Sequence, residues 1–418
     1  MTTPPAPPLQ SRAPGARAPH VLLLVENLPV PADFRAWLIA GTLRDAGYVV
    51  SIISPASAAW PAGSDLLDGI HIERHTLPCE ARGWLAYPLE YAAALWHELR
   101  LSLRVFRRQR VDVIHACNPP DLLWLIGLFW RVRGVRFVYD HHDLCPELVL
   151  AKLQCQVPRQ LRWWQHGLYG ISLVLERITH WCADMVLATN DSYRRVSLER
   201  NHYPADKTVT VKSAPTRAEI ATAPRHTPRH AAPLMLAYVG VMASQDGVDG
   251  LLRVVRRLRD EHHLVVALTL MGDGPERAAL EQLARQLDVA AQVRFTGFLP
   301  RADILALLAQ CDVGVTPDPP GPMNNASTML KVLDYLLCGL PQVLYDLPEN
   351  RVTAGDAGVY ARPGDEHDLT AVLARVLTDD ALRVTLAARA QERLATLAWE
   401  DNGACALREA YRRLTAPL

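Results

Sequence analysis

The sequence predicts an α/β protein of two doubly wound domains facing a central cleft, and three observations carry that prediction. Strand-like and helix-like stretches alternate β-α-β in two separate series along 418 residues, the order expected of parallel sheets covered by helices. Several of the strand-like runs, HVLLLV at residues 20–25 among them, are apolar without interruption, as suits strands buried on both faces. The stretch TRAEIATAPRHTPRHAAP from Thr216 to Pro233 is polar and punctuated by proline, the composition of an interdomain linker. Clefts at the C-terminal ends of such sheets are where ligands bind.

Taken in order, the first twenty residues are rich in Pro, Ala and Arg without an apolar h-region, so residues 1–19 read as a disordered tail rather than a signal peptide. HVLLLVENLPV is the first strand, Asp33–Gly47 a helix and YVVSIIS the next strand. DGIHIERH, a helix over Tyr87–Gln109, the strand Val111–Cys117, a helix over Asp121–Arg133 and the strand VRFVYDHHD follow. A helix from about Arg159 to Ala183, MVLAT, a helix at Ser192–Arg200 and VTVKSAP complete a first domain over 20–215. After a linker at 216–232, the second domain covers 233–398 with strands LMLAYVG, VVALTLMG, VRFTGF, DVGVTP, QVLYD and GVYARP. Its helices are expected at Gly247–Glu261, Glu276–Leu287, Asp303–Gln310, Met329–Leu337, Glu366–Leu377 and Asp380–Leu394, and a last helix starts at Trp399.

Composition narrows the function classes. The 44 basic and 44 acidic side chains cancel, so no global field argues for nucleic acid. No apolar run approaches the roughly 18 residues of a membrane span. The cysteines are irregularly spaced without a C-x-x-C pair and several lie in apolar runs. Reduced thiols in a cytoplasm are expected rather than disulfides or zinc.

Four constellations could carry chemistry. NNASTMLKVLDYLLCGLP, from Asn324 to Pro341, sets Asn325, Ser327 and Thr328 as cap-type residues before an apolar helical run that stops at Gly339 and Pro341. Lys331 and Asp334 on that helix suit a phosphate at its N-terminus and a sugar hydroxyl one turn later, while a plain capped core helix is the alternative. MGDGP with Gly272 and Gly274, and YVGVMASQDGV with Gly240 and Met242, are strand-to-helix turns that allow close backbone approach to a ligand, but neither fits G-x-G-x-x-G. YDHHDLCPE places His141, His142 and Asp143 directly after a buried strand, where they could meet a hydroxyl substrate or a metal. Neighbouring side chains on an extended chain point to opposite faces, so one cleft-facing and one structural histidine are expected rather than a shared ion. Arg35, beside Asp33 at the start of the first helix, opposes the helix dipole unless an anion is present, and is a candidate phosphate or acceptor contact. Finally LRWWQHGLYGISLVLERITHW mixes four basic or His side chains with three Trp and one Tyr, a composition suited to a membrane surface or a core helix.

With VENLPVPADFRAW, YDHHDLCPE, ATNDSYRR, MGDGPE and NNASTMLKVLDYLLCGLP in this order, the chain resembles the family 4 glycosyltransferases, retaining nucleotide-sugar-dependent enzymes of GT-B fold, and looks closest to bacterial members that build exopolysaccharide or other glycoconjugates. The resemblance runs from Val21 to Leu414. It implies two Rossmann-like domains, an acceptor domain first and a donor domain second, with the closing segment 399–418 returning to the first. It further implies that Asp334 binds ribose hydroxyls, that backbone N–H groups at Thr328 and Met329 meet the diphosphate, and that His142 lies beside the transferring sugar. The turn holding Phe298 and Leu299 would lie near the base. Such enzymes need no metal and no cofactor beyond the nucleotide sugar, UDP-linked in many members; a hydroxyl acceptor, lipid-linked in some, is the other partner. The protein is then expected in the cytoplasm, with peripheral contact at the inner membrane face.

Three departures from the family pattern stand out. Ala326 holds the place of the first of two acidic residues, Asp334 being the second, which leaves sugar contact to Asn324, Asn325 or backbone groups. Val241 and Asp246 replace the usual basic pair, so Lys331 is expected to supply part of the missing charge. Ser213 and Ala214 stand where an Asn-Gly pair is usual. A nucleotide-sugar 2-epimerase of the same architecture, or a degenerate subunit that binds nucleotide sugar without turnover, are the rival readings.

Overall fold

The computed structural model describes residues 17–76, 87–153, 155, 157–227 and 233–416. In chain order the first half holds β1 (His20–Val25), α1 (Phe34–Asp45), β2 (Val49–Pro55), β3 (Gly63–Leu67), β4 (Ile70–His75), α2 (Tyr87–Arg108), β5 (Val113–Cys117), α3 (Trp124–Arg131), β6 (Arg136–His141) and α4 (Cys145–Lys152). Next come α5 (Trp163–Cys182), β7 (Met185–Ala188), α6 (Asp191–Glu199), β8 (Thr208–Thr210) and α7 (Arg217–Thr222). The second half runs β9 (Leu234–Val239), α8 (Val248–His262), β10 (Val266–Met271), α9 (Arg277–Gln286), β11 (Val293–Gly297), α10 (Arg301–Leu308), β12 (Val313–Thr316), α11 (Pro322–Ala326) and α12 (Leu330–Cys338). It ends with β13 (Gln342–Tyr345), α13 (Pro348–Ala354), β14 (Gly358–Ala361), α14 (Glu366–Thr378), α15 (Asp380–Ala395) and α16 (Gly403–Thr415).

The chain divides into two units: residues up to Pro146 with Gly167–Ser213 and Asn402–Leu418, and Glu147–His166 with Ala214–Asp401. The first is built on a sheet of order β3-β4-β2-β1-β5-β6-β7-β8, parallel except for β3. Leu22, Leu24, Ile114, Phe137 and Val186 of its central strands form a core with α2 and α3, which is why those strands read as unbroken apolar runs. The second is built on an all-parallel sheet of order β11-β10-β9-β12-β13-β14. In each sheet the chain winds one way from its first strand and then the other, so switch points lie between β1 and β5 and between β9 and β12. Loops at the C-terminal ends of those strands open there.

Several expectations change. β3 was not foreseen: Asp68 and Gly69, both at positive φ, close a two-residue hairpin onto β4, the turn chemistry that an Asp-Gly pair favours. Most of the expected disordered tail, residues 1–16, lies outside the described residues, but Arg17 is fixed by a bidentate pair with Asp112 at 2.6 and 2.8 Å. The expected linker contains α7, opened by a capping box in which the Thr216 hydroxyl and the Glu219 carboxylate each meet the other's backbone N–H; the motif T-x-x-E signals this start. Its residues 228–232 are outside the described ones. The last helix starts at Gly403, and Trp399 lies buried before it with its N–H on Pro215 O at 2.9 Å. Seven cysteines are free thiols; Cys79 lies outside the described residues. Among the described residues no helix is long and apolar enough to cross a membrane.

Candidate functional site

In the first unit the polar groups converge on Asp140, near the end of β6 and wholly buried. Its carboxylate accepts from Arg35 Nε and Nη2 at 3.1 and 2.7 Å, and meets His115 Nε2 at 3.2 Å and His142 Nε2 at 2.7 Å. Burial by itself raises a carboxyl's pKa, but Arg35 and then the two histidines outweigh it and hold Asp140 well below the ordinary value,. Asp140 and His142 are two positions apart on an extended chain and so share a face. The carboxylate thereby fixes the ring of a histidine that keeps part of its surface exposed. Asn118, at the end of β5, locks the same turn, accepting from His142 N at 2.6 Å and Asp143 N at 3.1 Å and donating to Asp143 O at 2.7 Å.

His142 and Asp143 therefore sit together at the sheet end, whereas His141 does not join them. It is fully buried among Tyr139, His180 and Tyr193, with ring centroids 5.1 to 5.4 Å away. Burial depresses its pKa to about 3. A ring closed off from solvent cannot touch substrate, so the catalytic expectation for His141 is corrected to a packing role. Arg35 is corrected as well. Its guanidinium is buried on Asp140, Val211 O and Ser213 Oγ, so the anion its position demands is a carboxylate of this chain rather than a phosphate. Asp33 caps α1 through Ala36 N at 2.9 Å and acts as a helix cap, not a ligand contact.

His115, Cys117 and Asp140 bring ligand-type atoms within 4.8 Å of one another. His115 Nδ1 already meets the Tyr411 hydroxyl at 2.7 Å, Arg35 balances Asp140, and burial pushes the Cys117 thiol well up. The group is satisfied by protein partners and offers no thiolate to a cation.

In the second unit the predicted donor residues cluster around the switch point. The glycine turns after β9, β10 and β11 abut: a Cβ on Gly272 would lie 1.9 Å from Gly240 O, and one on Gly274 would lie 2.5 Å from Met242 O. The N–H groups of Gly240, Gly272 and Gly274 bond to Met271 O, Gly297 O and Asp273 Oδ1. Met242 is buried, its N–H on Asp273 O and its carbonyl on Glu276 N. These four residues fasten the loops to one another, their backbone N–H groups taken up by protein acceptors. Beside them Phe298 is 79% exposed while Leu299 turns into the core, so of that pair only the aromatic ring is open to a base.

The helix α12 ends as expected at Gly339, in the left-handed region at φ 68. Its start is different. The N-cap is Met329, with no side-chain cap, because Ser327 Oγ turns back to Met323 O at 2.8 Å and Thr328 Oγ1 meets Glu349 at 3.3 Å. Asn324 donates to Gln245 O at 2.9 Å and Pro319 O at 2.8 Å, and Asn325 is exposed. Asn324, Gln245 and Pro320 line one side of a cavity of about 300 Å³ within this unit; Glu147, Ala151 and Cys155 line another.

The two charged residues of α12 both have partners. Lys331 Nζ lies 2.8 and 3.0 Å from Asp318, 4.0 Å from Asp246 and 4.7 Å from the centre of the Tyr238 ring. Burial lowers the lysine's pKa, but Asp318 and then Asp246 more than reverse this, so the ammonium persists. Its charge is met inside the protein by Asp318 and Asp246. Burial raises Asp246 to about 6, against the opposing pull of Lys331. Asp334 binds Arg301 Nη1 at 2.8 Å, and Arg301 Nε also meets Glu219 at 3.2 Å. Burial outweighs that arginine and sets Asp334 at about 6. Asp140, Asp318 and Arg301 went unforeseen. For Arg301 the available signal was a cation in the first turn of α10, the same dipole mismatch that marks Arg35.

Comparison with known proteins agrees with this geometry. Residues 31–213 match the family described as glycosyl transferase 4-like domain, and residues 233–379 match glycosyl transferases group 1. The lipopolysaccharide core biosynthesis glycosyltransferase LpsD of Rhizobium meliloti is 30% identical over 340 residues, 79% of this chain and 88% of that one. The O-antigen chain mannosyltransferase B of Escherichia coli is 27% identical over 226 residues, 52% of this chain, and the match spans 58% of the mannosyltransferase's own length. The crystal structure of WaaG, a glycosyltransferase involved in lipopolysaccharide biosynthesis, superposes with a TM-score of 0.66 at 17% identity, covering 95% of this chain and all of that one. Anabaena Alr3699/HepE in complex with UDP gives 0.62 at 15% identity over 94% and 99%. With two family domains in tandem and LpsD matched along most of both lengths, the chain belongs to the family 4 type of glycosyltransferases of GT-B fold.

Proposed function

We propose that this protein moves a sugar from a nucleoside diphosphate donor, UDP-linked as the HepE complex suggests, to a hydroxyl acceptor with retention at the anomeric carbon. The single observation that supports the reading most is the start of α12. It is a helix N-terminus without a side-chain cap, on the helix that carries Asp334, in the unit whose β11 leads into the exposed ring of Phe298. The positive end of a helix dipole favours a phosphate, a carboxylate one turn on accepts from ribose hydroxyls, and an aromatic face stacks on a base. In the transfer, the bond between the anomeric carbon and the diphosphate oxygen breaks as the acceptor oxygen bonds on the same face. The acceptor proton passes to the departing diphosphate. His142, oriented by Asp140, holds the transferring sugar. A lipid-linked acceptor and a place at the cytoplasmic face of a membrane complete the proposal.

The test is a panel of UDP-, GDP- and ADP-sugars and their free diphosphates, read by thermal shift and by donor hydrolysis. A shift with one nucleoside diphosphate, and slow release of its sugar, is the expected result. If every nucleotide leaves the melting temperature unchanged and every donor intact, the proposal fails.

A further inference from the structure

A line of hydrogen bonds runs from α16 to His142, the ring that holds the transferring sugar in the proposed reaction. Tyr411, on α16, meets His115 Nδ1 at 2.7 Å although 296 positions separate the two residues. His115 Nε2 lies 3.2 Å from Asp140 Oδ2, and the same oxygen meets His142 Nε2 at 2.7 Å. Arg35 closes the group from α1, with Nε on Oδ2 at 3.1 Å and Nη2 on Oδ1 at 2.7 Å. Tyr411, His115 and Asp140 are fully buried, whereas His142, at the end of the line, keeps 15% of its side chain exposed. All five residues belong to the first unit.

The direction of every bond in the line follows from one charge. Burial opposes the charge on Asp140, but Arg35 and the histidines outweigh it and keep the carboxylate ionised, and a carboxylate only accepts. Both histidines therefore carry a proton on Nε2. Burial lowers the pKa of His115, so that ring is neutral, its Nδ1 is a bare lone pair, and the Tyr411 hydroxyl is the donor to it. On His142 the nitrogen left over is Nδ1, and in the neutral ring that atom accepts a hydrogen bond and does not give one. A tyrosine facing a histidine is a costly way to fill a core. Two apolar side chains of the same shape would pack as well, because a buried polar pair nets little stability while either partner alone is heavily penalised. A line of such groups that ends at a partly open ring has a use beyond packing: it fixes which nitrogen of that ring remains for a ligand.

We propose that Tyr411 and His115 are positioning residues of the sugar site: through Asp140 they lock His142 as its Nε2–H tautomer, so that Nδ1 accepts from a hydroxyl of the transferring sugar. The sugar contact rests on the proposed function, whereas the tautomer is read in the free protein, so the two fail separately. The experiment is nitrogen NMR of the full chain with isotope-labelled histidine, above the titration range of an ordinary imidazole and without nucleotide. The signals of His142 are those lost in His142→Ala, and in wild type they are expected to show a proton on Nε2 and none on Nδ1. Tyr411→Phe keeps the ring and deletes the hydroxyl, and is expected to shift the ring nitrogens of both His115 and His142. A wild-type His142 protonated on Nδ1 or exchanging between the two tautomers would overturn the proposal, and so would His142 signals that Tyr411→Phe leaves in place. With the donor that the nucleotide panel selects, Tyr411→Phe is expected to lower kcat/KM roughly ten-fold, and no further when His142 is already alanine. A purely structural loss would be the same in both backgrounds, so equal losses overturn the relay even where the NMR signals move. If the panel selects no donor, the transfer reaction fails and the NMR measurement still decides the relay.

Discussion

Arg35 and Arg301 both stand in the first turn of a helix, where a cation meets the wrong end of the dipole, and each is answered by a buried aspartate, Asp140 or Asp334. The misfit was legible in the sequence for Arg35, but the partner was not, because Asp140 lies 105 residues away and only folding brings the two together. The same holds for Lys331, whose partner Asp318 follows a different strand. Asp140→Asn should strand the buried Arg35 charge and cost about 3–5 kcal/mol of stability, read by urea denaturation; a loss below about 1 kcal/mol would show the pair to be dispensable. Because the folded-state pKa of Asp140 lies below its ordinary value of 3.8, its contribution is present above that value and is lost as pH falls below it, and the Asn variant should lack that part of the acid transition. Lys331→Met should likewise destabilise by about 3–5 kcal/mol by isolating Asp318, so a fall in donor affinity in that variant must be separated from unfolding by measuring both. Asp334 gives a cleaner readout of the donor site. With its pKa at about 6, the ionised form that accepts from a hydroxyl is lost as pH drops through that value, and donor affinity should drop with it. Arg301→Ala removes the group that lowers this pKa and should move the inflection upward, while Asp334→Asn should abolish it; an inflection that stays in place in both variants would remove Asp334 from the site.

At the scale of elements, ends marked by backbone geometry were readable and ends marked by side-chain choice were not. The stop of α12 is written in Gly339 and Pro341, because few residues but glycine sit comfortably at φ 68,. The start was misplaced because Ser327 and Thr328, though of the capping type, find partners on Met323 of the short helix α11 and on Glu349 of α13. A glycine-rich turn raises the same ambiguity, since a glycine needed for ligand approach and one needed for loop packing look alike in sequence. The structure separates the two: Gly272 has φ 136 and no room for a Cβ beside Gly240 O. Gly272→Ala should therefore cost about 2–5 kcal/mol from the positive φ and the backbone clash together. The loss should appear in urea denaturation even without nucleotide. A variant as stable as wild type that had lost only donor binding would return Gly272 to the ligand.

For the whole molecule, two sheets were legible because unbroken apolar strands and amphipathic helices alternate twice, and parallel strand order follows once crossovers are right-handed. Which unit owns residues 147–166 was not legible, since the polar segment after β6 gave no sign of α4 and its membership depends on contacts distant in sequence. That division bears on how a nucleotide should act. If donor binding rests on α12, Phe298 and Asp334, all within the second unit, a nucleoside diphosphate stabilises that unit directly, by about 2.7 kcal/mol at a concentration one hundred times its Kd. Hydrogen exchange resolved by peptide tests this, because protection follows the local opening free energy. Saturating UDP should slow exchange in α12, in the turns after β9, β10 and β11, and in the strands of the second sheet that pack on them. The central strands of the first sheet should keep the rates of the free protein. Protection confined to β5, β6 and the turn at His142 would place the nucleotide in the first unit and reverse the assignment of the donor site.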